Sequence, residues 1–310
     1  MAPFDFQKDF IKGLGSNLLD PMRWAGAIAK RMRHFNIALT GKTSGSSNTD
    51  ALTLADLIVQ ELLVGAIRDA HIHSRMLRIE AEEETGDLAH FAKEGELTIT
   101  IDPIDGTKQY RDKTGNGYAV MVTLRRVQTV LLSLVFIPES GPNGTWVYAF
   151  DGVVKCGPDN PRESGADVIY SLPACKPLVP AKSKKIYLIG FQKHDRAKAE
   201  LVTQAGLEGV AADDCQGCLY ELLATGEYAG SLIHSPNVYD YPVSLHIARA
   251  FGGDSVWVHN GQPVHFQELW MDERANMLRL PGIVATSPDA NVRRILCDLA
   301  KDWNPVRYAE

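Results

Sequence analysis

The sequence predicts an α+β chain in which helices come first, an antiparallel meander follows, and strands then alternate with helices. Three observations carry this reading. Leu52, Ala55, Val59, Leu62, Leu63, Ala66, Ile67 and Ala70 recur at three- and four-residue steps, which is the period of an amphipathic helix. At Leu97, Ile99 and Ile101 the period drops to two, against Thr98, Thr100 and Asp102, as in a half-buried strand. Strand-like runs at 118–124, 130–137 and 145–150 then follow with only turns or short loops between them. Parallel pairing would need long crossovers, so these runs form a meander.

Taken in order, Asp20-Pro21 reads as an N-cap followed by an N1 proline, opening a helix over 22–33. Residues 41–50, dominated by Gly, Ser, Thr and Asn, read as a mobile loop. Asp56 sits near the start of the helix over 52–70, and Asp102 ends the 97–101 strand on its polar face. A Pro/Gly-rich stretch over 157–180 marks a boundary between an α+β domain, 1–182, and a smaller α/β domain, 183–310. In the second domain strand and helix signals alternate at 186–191, 196–205, 219–225, 228–233 and 241–251, with Gly226 and Gly252 placed to cap helix C-termini.

Composition narrows the classes. A formal net charge of −6 argues against a binder of nucleic-acid polymers, which needs a basic surface. Five cysteines in 310 residues are odd in number and too sparse for a disulfide framework, so a reducing cytoplasm is expected. Residues 1–10 lack a signal-peptide core, and no run of 18 apolar residues occurs, so neither export nor membrane spanning is expected.

The chemistry concentrates in Asp102-Pro103-Ile104-Asp105-Gly106-Thr107. Pro103 restricts the backbone and Gly106 permits a conformation closed to other residues. The carboxylates of Asp102 and Asp105 and the Ile104 carbonyl are the hard oxygens that magnesium prefers, and the amides of Gly106 and Thr107 suit an anion. Asp-Pro and Asp-Gly pairs also form ordinary turns whose acids are merely solvated. Glu80, Glu82, Glu83 and Glu84 read either as a solvated acidic surface or as a source of ligands. Asp240, just before Tyr241-Pro242 and a helix closing in Gly252-Gly253, reads as an N-cap, a position equally suited to a phosphate site.

The order of these motifs resembles the inositol monophosphatase family, whose relatives include fructose bisphosphatases and phosphoadenosine phosphate phosphatases. The likeness runs from about Met22 to the last helix near Asp302. It implies a layered α-β-α-β-α sandwich and a magnesium-dependent, often lithium-sensitive, phosphomonoesterase with a small phosphate-ester substrate, and it allows a homodimer. Residue by residue, it implies that Glu82, Asp102 and the Ile104 carbonyl bind one magnesium ion and that Asp102, Asp105 and Asp240 bind a second. Asp56 and Thr107 become the pair that activates water, and Asp105, Gly106, Thr107 and Asp240 meet the phosphate. Two ions about 3.5–4 Å apart stabilise both the attacking and the leaving oxygen of an in-line displacement.

The chain departs from the family pattern in three places. Ala81 precedes a run of three glutamates, so Glu82 and Glu83 compete for one ligand role, with Glu82 favoured. Tyr239 replaces a tryptophan and Tyr241-Pro242 replace small residues, which predicts a reshaped wall beside the metals. Ile233 stands where inositol-specific members carry an acid, so inositol phosphate is not expected to be the preferred substrate; a phosphate ester of a sugar, nucleotide or amino-alcohol is expected in its place, with a 3'-nucleotide or sugar bisphosphate as the alternative. Residues 217–219 and 231–238 are expected to shape the leaving-group pocket. Cys215-Gln216-Gly217-Cys218 is a lone pair at zinc or redox spacing without a second pair, and reads as a turn. His71 and His73 read as surface or capping residues. A non-catalytic metal-binding protein is the rival of another class; the presence of both Asp56 and Thr107 favours hydrolysis.

Overall fold

The computed structural model describes residues 6–35, 38–39, 52–70, 74–176 and 179–308; the loop expected at 41–50 and His71 and His73 lie outside them. The chain opens with α1 (Phe6–Met32) and α2 (Leu54–Ala70), followed by β1 (Arg78–Ala81), β2 (Thr98–Asp105) and the short α3 (Thr107–Asp112). The meander is β3 (Ala119–Arg125), β4 (Val130–Ile137), β5 (Thr145–Phe150) and β6 (Val153–Pro158), after which comes α4 (Gly165–Ser171). Strands β1 to β6 form one sheet in sequence order, antiparallel except that β1 runs parallel to β2.

The second sheet is built from β7 (Lys185–Ile189), β8 (Glu208–Ala211), β9 (Gly230–His234), β10 (Asp254–Trp257) and β13 (Ile283–Ser287), in the order β10-β13-β9-β7-β8. Its helices are α5 (Asp195–Gln204), α6 (Leu219–Thr225), α7 (Tyr241–Ala250) and α8 (Ala290–Ala300), and β11 (Trp270–Asp272) pairs with β12 (Met277–Arg279) as a separate ribbon. Helices α1 and α2 pack on one face of the first sheet, α6 and α7 on its other face, and α5 and α8 on the far face of the second sheet. Because α7 also touches β10 and β13, the layers run α-β-α-β-α. Among the described residues no helix is long and apolar enough to cross a membrane.

Covering both faces of the first sheet changes what its alternation means. Ile99, Ile101 and Ile104 point into the α1/α2 core, yet Thr98, Thr100 and Asp102 are buried as well, so β2 is not the half-exposed strand its pattern suggests. A buried hydroxyl must find a partner. Thr100 bonds Thr123 across the ladder at 2.5 Å and donates to the Tyr239 carbonyl at 3.4 Å. Nor does β2 stop at Asp102: it continues to Asp105 with a register shift between the two, a bulge that re-aims side chains at the strand end.

The helix start expected at Asp20-Pro21 is corrected too. Helix α1 begins at Phe6, and Pro21 lies inside it. An interior proline costs about 3 kcal/mol, but Leu14, Leu18, Leu19, Met22, Ala25 and Ala29 are all buried along this helix, and that burial offsets the loss. Asp20 serves the packing of another element, its Oδ1 accepting from Arg23 at 2.8 Å and from the Gly165 amide at 2.9 Å.

Gly252 has the left-handed φ of 86° expected after α7. Gly253 has a different reason: a Cβ there would lie 2.3 Å from Pro288 Cα, where the helix exit meets the end of β13. Gly253→Ala should therefore lower stability by roughly 1–3 kcal/mol through overpacking. Gly65→Ala, in α2 with open space around it, should raise it by roughly 0.5–1 kcal/mol. Urea midpoints of the two variants check this, and a Gly253→Ala midpoint at or above wild type contradicts it.

Candidate active site

The end of β2, the residue after β1 and the start of α7 open onto one cleft of about 150 Å³. Parallel pairing of β1 with β2 is extended by one bond, Glu82 N–H to Ile101 carbonyl at 3.1 Å, which sets Glu82 beside Asp102. The β2 bulge then turns both Asp102 and Asp105 toward the cleft. Asp240 arrives from the other side: Asn237 accepts from the Tyr239 and Asp240 amides at 2.8 and 3.0 Å and donates to Asp240 Oδ2 at 2.9 Å. Asp240 makes no side-chain capping bond to α7, so its carboxylate is free to face the other acids. Oxygens of Asp102, Asp105 and Asp240 lie within 4.8 Å of one another.

Gathering like charges out of water disfavours ionisation. Burial, and then the charges of Glu82, Asp105 and Asp240, push the Asp102 carboxyl well above its usual range. Asp105 is raised by burial and by Asp240 and Glu82, with the Gly106 amide working against the rise. Asp240 is pushed up to about 7, chiefly by burial and against the stabilising bond from Asn237. Asp102 Oδ1 is buried with no hydrogen-bond partner among the described residues, which leaves an orphaned acceptor. Carboxylate oxygens with an unsatisfied member are the donor set of a hard divalent cation, and the residues present fit one.

Asp56 and Thr107 lie beside this cluster. Asp56 Oδ2 accepts from the Thr53 amide at 2.8 Å and from its hydroxyl at 2.6 Å, which fixes the carboxylate so that Oδ1 faces Thr107 Oγ1 at 3.3 Å. The Thr107 hydroxyl has a closer acceptor in the Ile104 carbonyl, 2.7 Å away. Gly106, at φ 81°, makes the left-handed step that joins β2 to α3 and brings Thr107 back over Ile104. Of the two competing glutamates, Glu82 lines the cleft, whereas Glu83 is held away from it through its backbone by Gln60.

The rest of the wall differs from expectation in part. Gly217, Leu219 and residues 233–237 do line the cleft, with Ile233 an apolar element of it. Tyr239, Tyr241 and Pro242 do not: they are buried in the core behind, and the Tyr239 hydroxyl accepts from the Leu278 amide at 3.1 Å. Tyr187, Tyr220, Met277, Arg279 and Arg307 take part instead, none of them marked by any sequence motif. Cys215 and Cys218 are buried thiols raised above their usual range chiefly by desolvation. The turn between them is a packing point, because a Cβ on Gly117 would lie 2.3 Å from the Gly217 carbonyl carbon.

The raised carboxyls set a pH dependence. Each holds its proton to higher pH in the folded than in the unfolded chain, so its contribution to stability is complete below the ordinary carboxylate range. That contribution is lost as pH rises through the raised values, about 7 for Asp240. A divalent cation bound at the cluster would compete with these protons and replace the lost stabilisation. Buried His234 and His246, both lowered to about 4, act in the opposite direction and lose stability as pH falls below the ordinary histidine range. The increment in Tm on adding cation, rather than Tm itself, isolates the cluster. It should be small at pH 5 and several degrees larger at pH 8; an increment independent of pH in calorimetric scans contradicts the assignment.

The inositol monophosphatase family profile matches residues 22–301. No curated protein sequence matches the chain. Among solved structures the fold is similar to an inositol monophosphatase from Anabaena (Nostoc) sp. PCC 7120, with TM-score 0.62 and 16% identity over 94% of this chain and 96% of that one. It is also similar to CysQ from Bacteroides thetaiotaomicron, at TM-score 0.58 and 16% identity over 91% and 98% of the two chains. An IMPase/NADP phosphatase solved with NADP and Ca2+ gives TM-score 0.65 and 13% identity over 98% and 100%. With its layered fold and a family match over nearly its whole length, the chain belongs to the inositol monophosphatase family of phosphatases.

Proposed function

We propose that this phosphatase hydrolyses a small phosphate monoester with magnesium in the carboxylate cluster. The observation that carries the reading is the convergence of Asp102, Asp105 and Asp240 within 4.8 Å, with Thr107 and Asp56 beside them. Glu82 and the Ile104 carbonyl complete the oxygen set on the Asp102 side, and Asp105 and Asp240 complete it on the other. Magnesium held there would supply positive charge to offset the buried carboxylates, to polarise the phosphate and to lower the pKa of a water.

The chain's own residues then handle the proton. Rotation of the Thr107 hydroxyl from the Ile104 carbonyl to Asp56 Oδ1 needs no heavy-atom movement, since both acceptors are already within 3.3 Å. Thr107 Oγ1 takes a proton from the attacking water as it passes its own to Asp56; the water oxygen forms the new bond to phosphorus, the phosphorus–ester oxygen bond breaks, and the leaving oxygen takes up a proton from a solvent water to depart as the alcohol. Thr53 keeps Asp56 oriented for this transfer through two bonds to the other oxygen. The Thr107 amide faces the phosphate at the start of α3, and no covalent phosphoenzyme is required.

Ile233 supports a substrate other than inositol 1-phosphate. A wall that accepts hydrogen bonds from ring hydroxyls rejects esters lacking them, because its polar groups would be left unpaired; an isoleucine offers no such acceptor. Phosphate release from a panel of esters should depend on magnesium and be reversed by chelator, and inositol 1-phosphate should not have the highest kcat/KM. Asp105→Asn should abolish most turnover, and Thr107→Ala or Asp56→Asn should lower kcat by roughly 10²–10⁴-fold. Near-normal turnover in Asp105→Asn contradicts the proposal, and magnesium binding without turnover of any ester supports the non-catalytic alternative.

A further inference from the structure

Gln60 is fully buried in α2, among Val59, Leu63 and Val64 of the core, where a leucine or methionine would pack without burying a polar group. Its amide makes three bonds to one stretch of backbone. Oε1 accepts from the Glu83 amide at 2.9 Å, and Nε2 donates to the carbonyls of Glu83 and Thr85, the second at 2.8 Å. These partners fix the orientation of the side-chain amide, since reversing it would set its oxygen against two carbonyls. Gln60 thus stands in for a neighbouring strand, one residue past the Glu82 bond to Ile101 that extends β1.

The residue held between these two attachments is Glu82. Its own N–H is tied to β2, both backbone groups of the next residue are tied to α2, and its side chain lines the cleft and hydrogen-bonds that of Asp102. Helix α2 secures the following residues too. Glu61 accepts from the Thr85 hydroxyl and from the Gly86 amide, and a Cβ on Gly86, at φ 94°, would lie 3.0 Å from the Val64 side chain. The same helix carries Asp56 one turn before Gln60, about 6 Å along its axis. Asp56 meets Thr107 while Gln60 meets the residue after Glu82, so one rigid element sets both sides of the cluster.

We propose that Gln60 is a positioning residue that keeps Glu82 in place as a cation ligand by fastening the backbone of Glu83 to the helix that carries Asp56. The proposal rests on the metal-dependent phosphatase reading above and deepens it. Gln60 touches neither cation nor substrate and acts only through Glu82. Without its amide, backbone groups of Glu83 and Thr85 lose their partners in a buried place, and the segment must shift to find others, carrying the Glu82 carboxylate with it. Residues that orient a metal ligand in this way typically govern affinity by about 10–100-fold.

Manganese binding to the whole chain, read as free ion by electron paramagnetic resonance, tests this without turnover. Gln60→Met, close in volume but lacking the amide, should raise one manganese Kd by about tenfold or more. In a Glu82→Gln background the same change should move the remaining Kd by less than about twofold, because the ligand through which Gln60 acts is already gone. A loosened fold weakens binding in both backgrounds, so equal losses overturn the proposal, as does a Gln60→Met Kd equal to wild type. Glu82→Gln with wild-type binding also overturns it, while leaving the three aspartates to support the phosphatase reading. Gln60→Glu keeps the acceptor for the Glu83 amide and loses the two donations, so its Kd should lie between the others, and it repeats the comparison if Gln60→Met does not fold. Failure of both variants to fold makes Gln60 a residue of the fold alone and overturns the proposal. Coupling of Gln60 to Glu82 in a chain that hydrolyses no ester upholds the proposal while the phosphatase reading falls; a wild-type chain that binds no manganese overturns the metal reading and the proposal together.

Discussion

The mutual repulsion of buried carboxylates at one cleft is the constraint around which the rest of this protein is arranged. Asp102, Asp105, Asp240 and Glu82 come from three separate chain segments, and nothing in their own interactions would draw them together. What holds them is packing elsewhere. The first sheet is fixed by Ile99, Ile101 and Ile104 in the α1/α2 core, and α7 is fixed by Val243 and Ile247 against the opposite face of that sheet. Local strain in the cleft is thus supported by apolar burial in two cores, the usual relation between a functional site and its scaffold.

The two sheets divide the chemistry. The first delivers Glu82, Asp102, Asp105 and Thr107 from the ends of β1 and β2, rigid elements whose register is set over many bonds. The second delivers Asp240 through Asn237, and Asn237 itself is bridged to Arg279 at the edge of the β12 ribbon. That bridge places Arg279, which lines the same cleft, beside the residue that orients Asp240.

The hexapeptide at 102–107 was legible because its information is local: two acids, a proline and a glycine at fixed spacing define a turn and a set of oxygens whatever surrounds them. Helix α2 and strands β4 and β5 were legible from period alone, as was the meander. Elsewhere tertiary context outweighed the local signal. Asp20-Pro21 looks like a helix start, and only the burial of Leu14 and Leu18 reveals that the helix is already under way. Thr98 and Thr100 alternate with isoleucines as an exposed face would; helix signals were read at 219–225 and 241–251, but nothing local to β2 says that the Tyr239 segment leading into α7 comes to lie on Thr100. Tyr239 was expected beside the metals because it adjoins Asp240, but consecutive residues there point to opposite sides, one to the cleft and one to the core. Arg307 had no signal at all, since it joins the cleft wall through bonds to Gly190 and His234, far away in the chain.

We propose that the buried carboxylates of the cleft act as ligands of a divalent cation, whose charge would offset the burial and mutual repulsion that otherwise favour their protonated forms. Anomalous diffraction from crystals grown with manganese, which takes the same oxygen ligands as magnesium, tests it directly. The account predicts anomalous density among the carboxylates of Asp102, Asp105 and Asp240; crystals of an active protein with that position empty and manganese ordered elsewhere would contradict it.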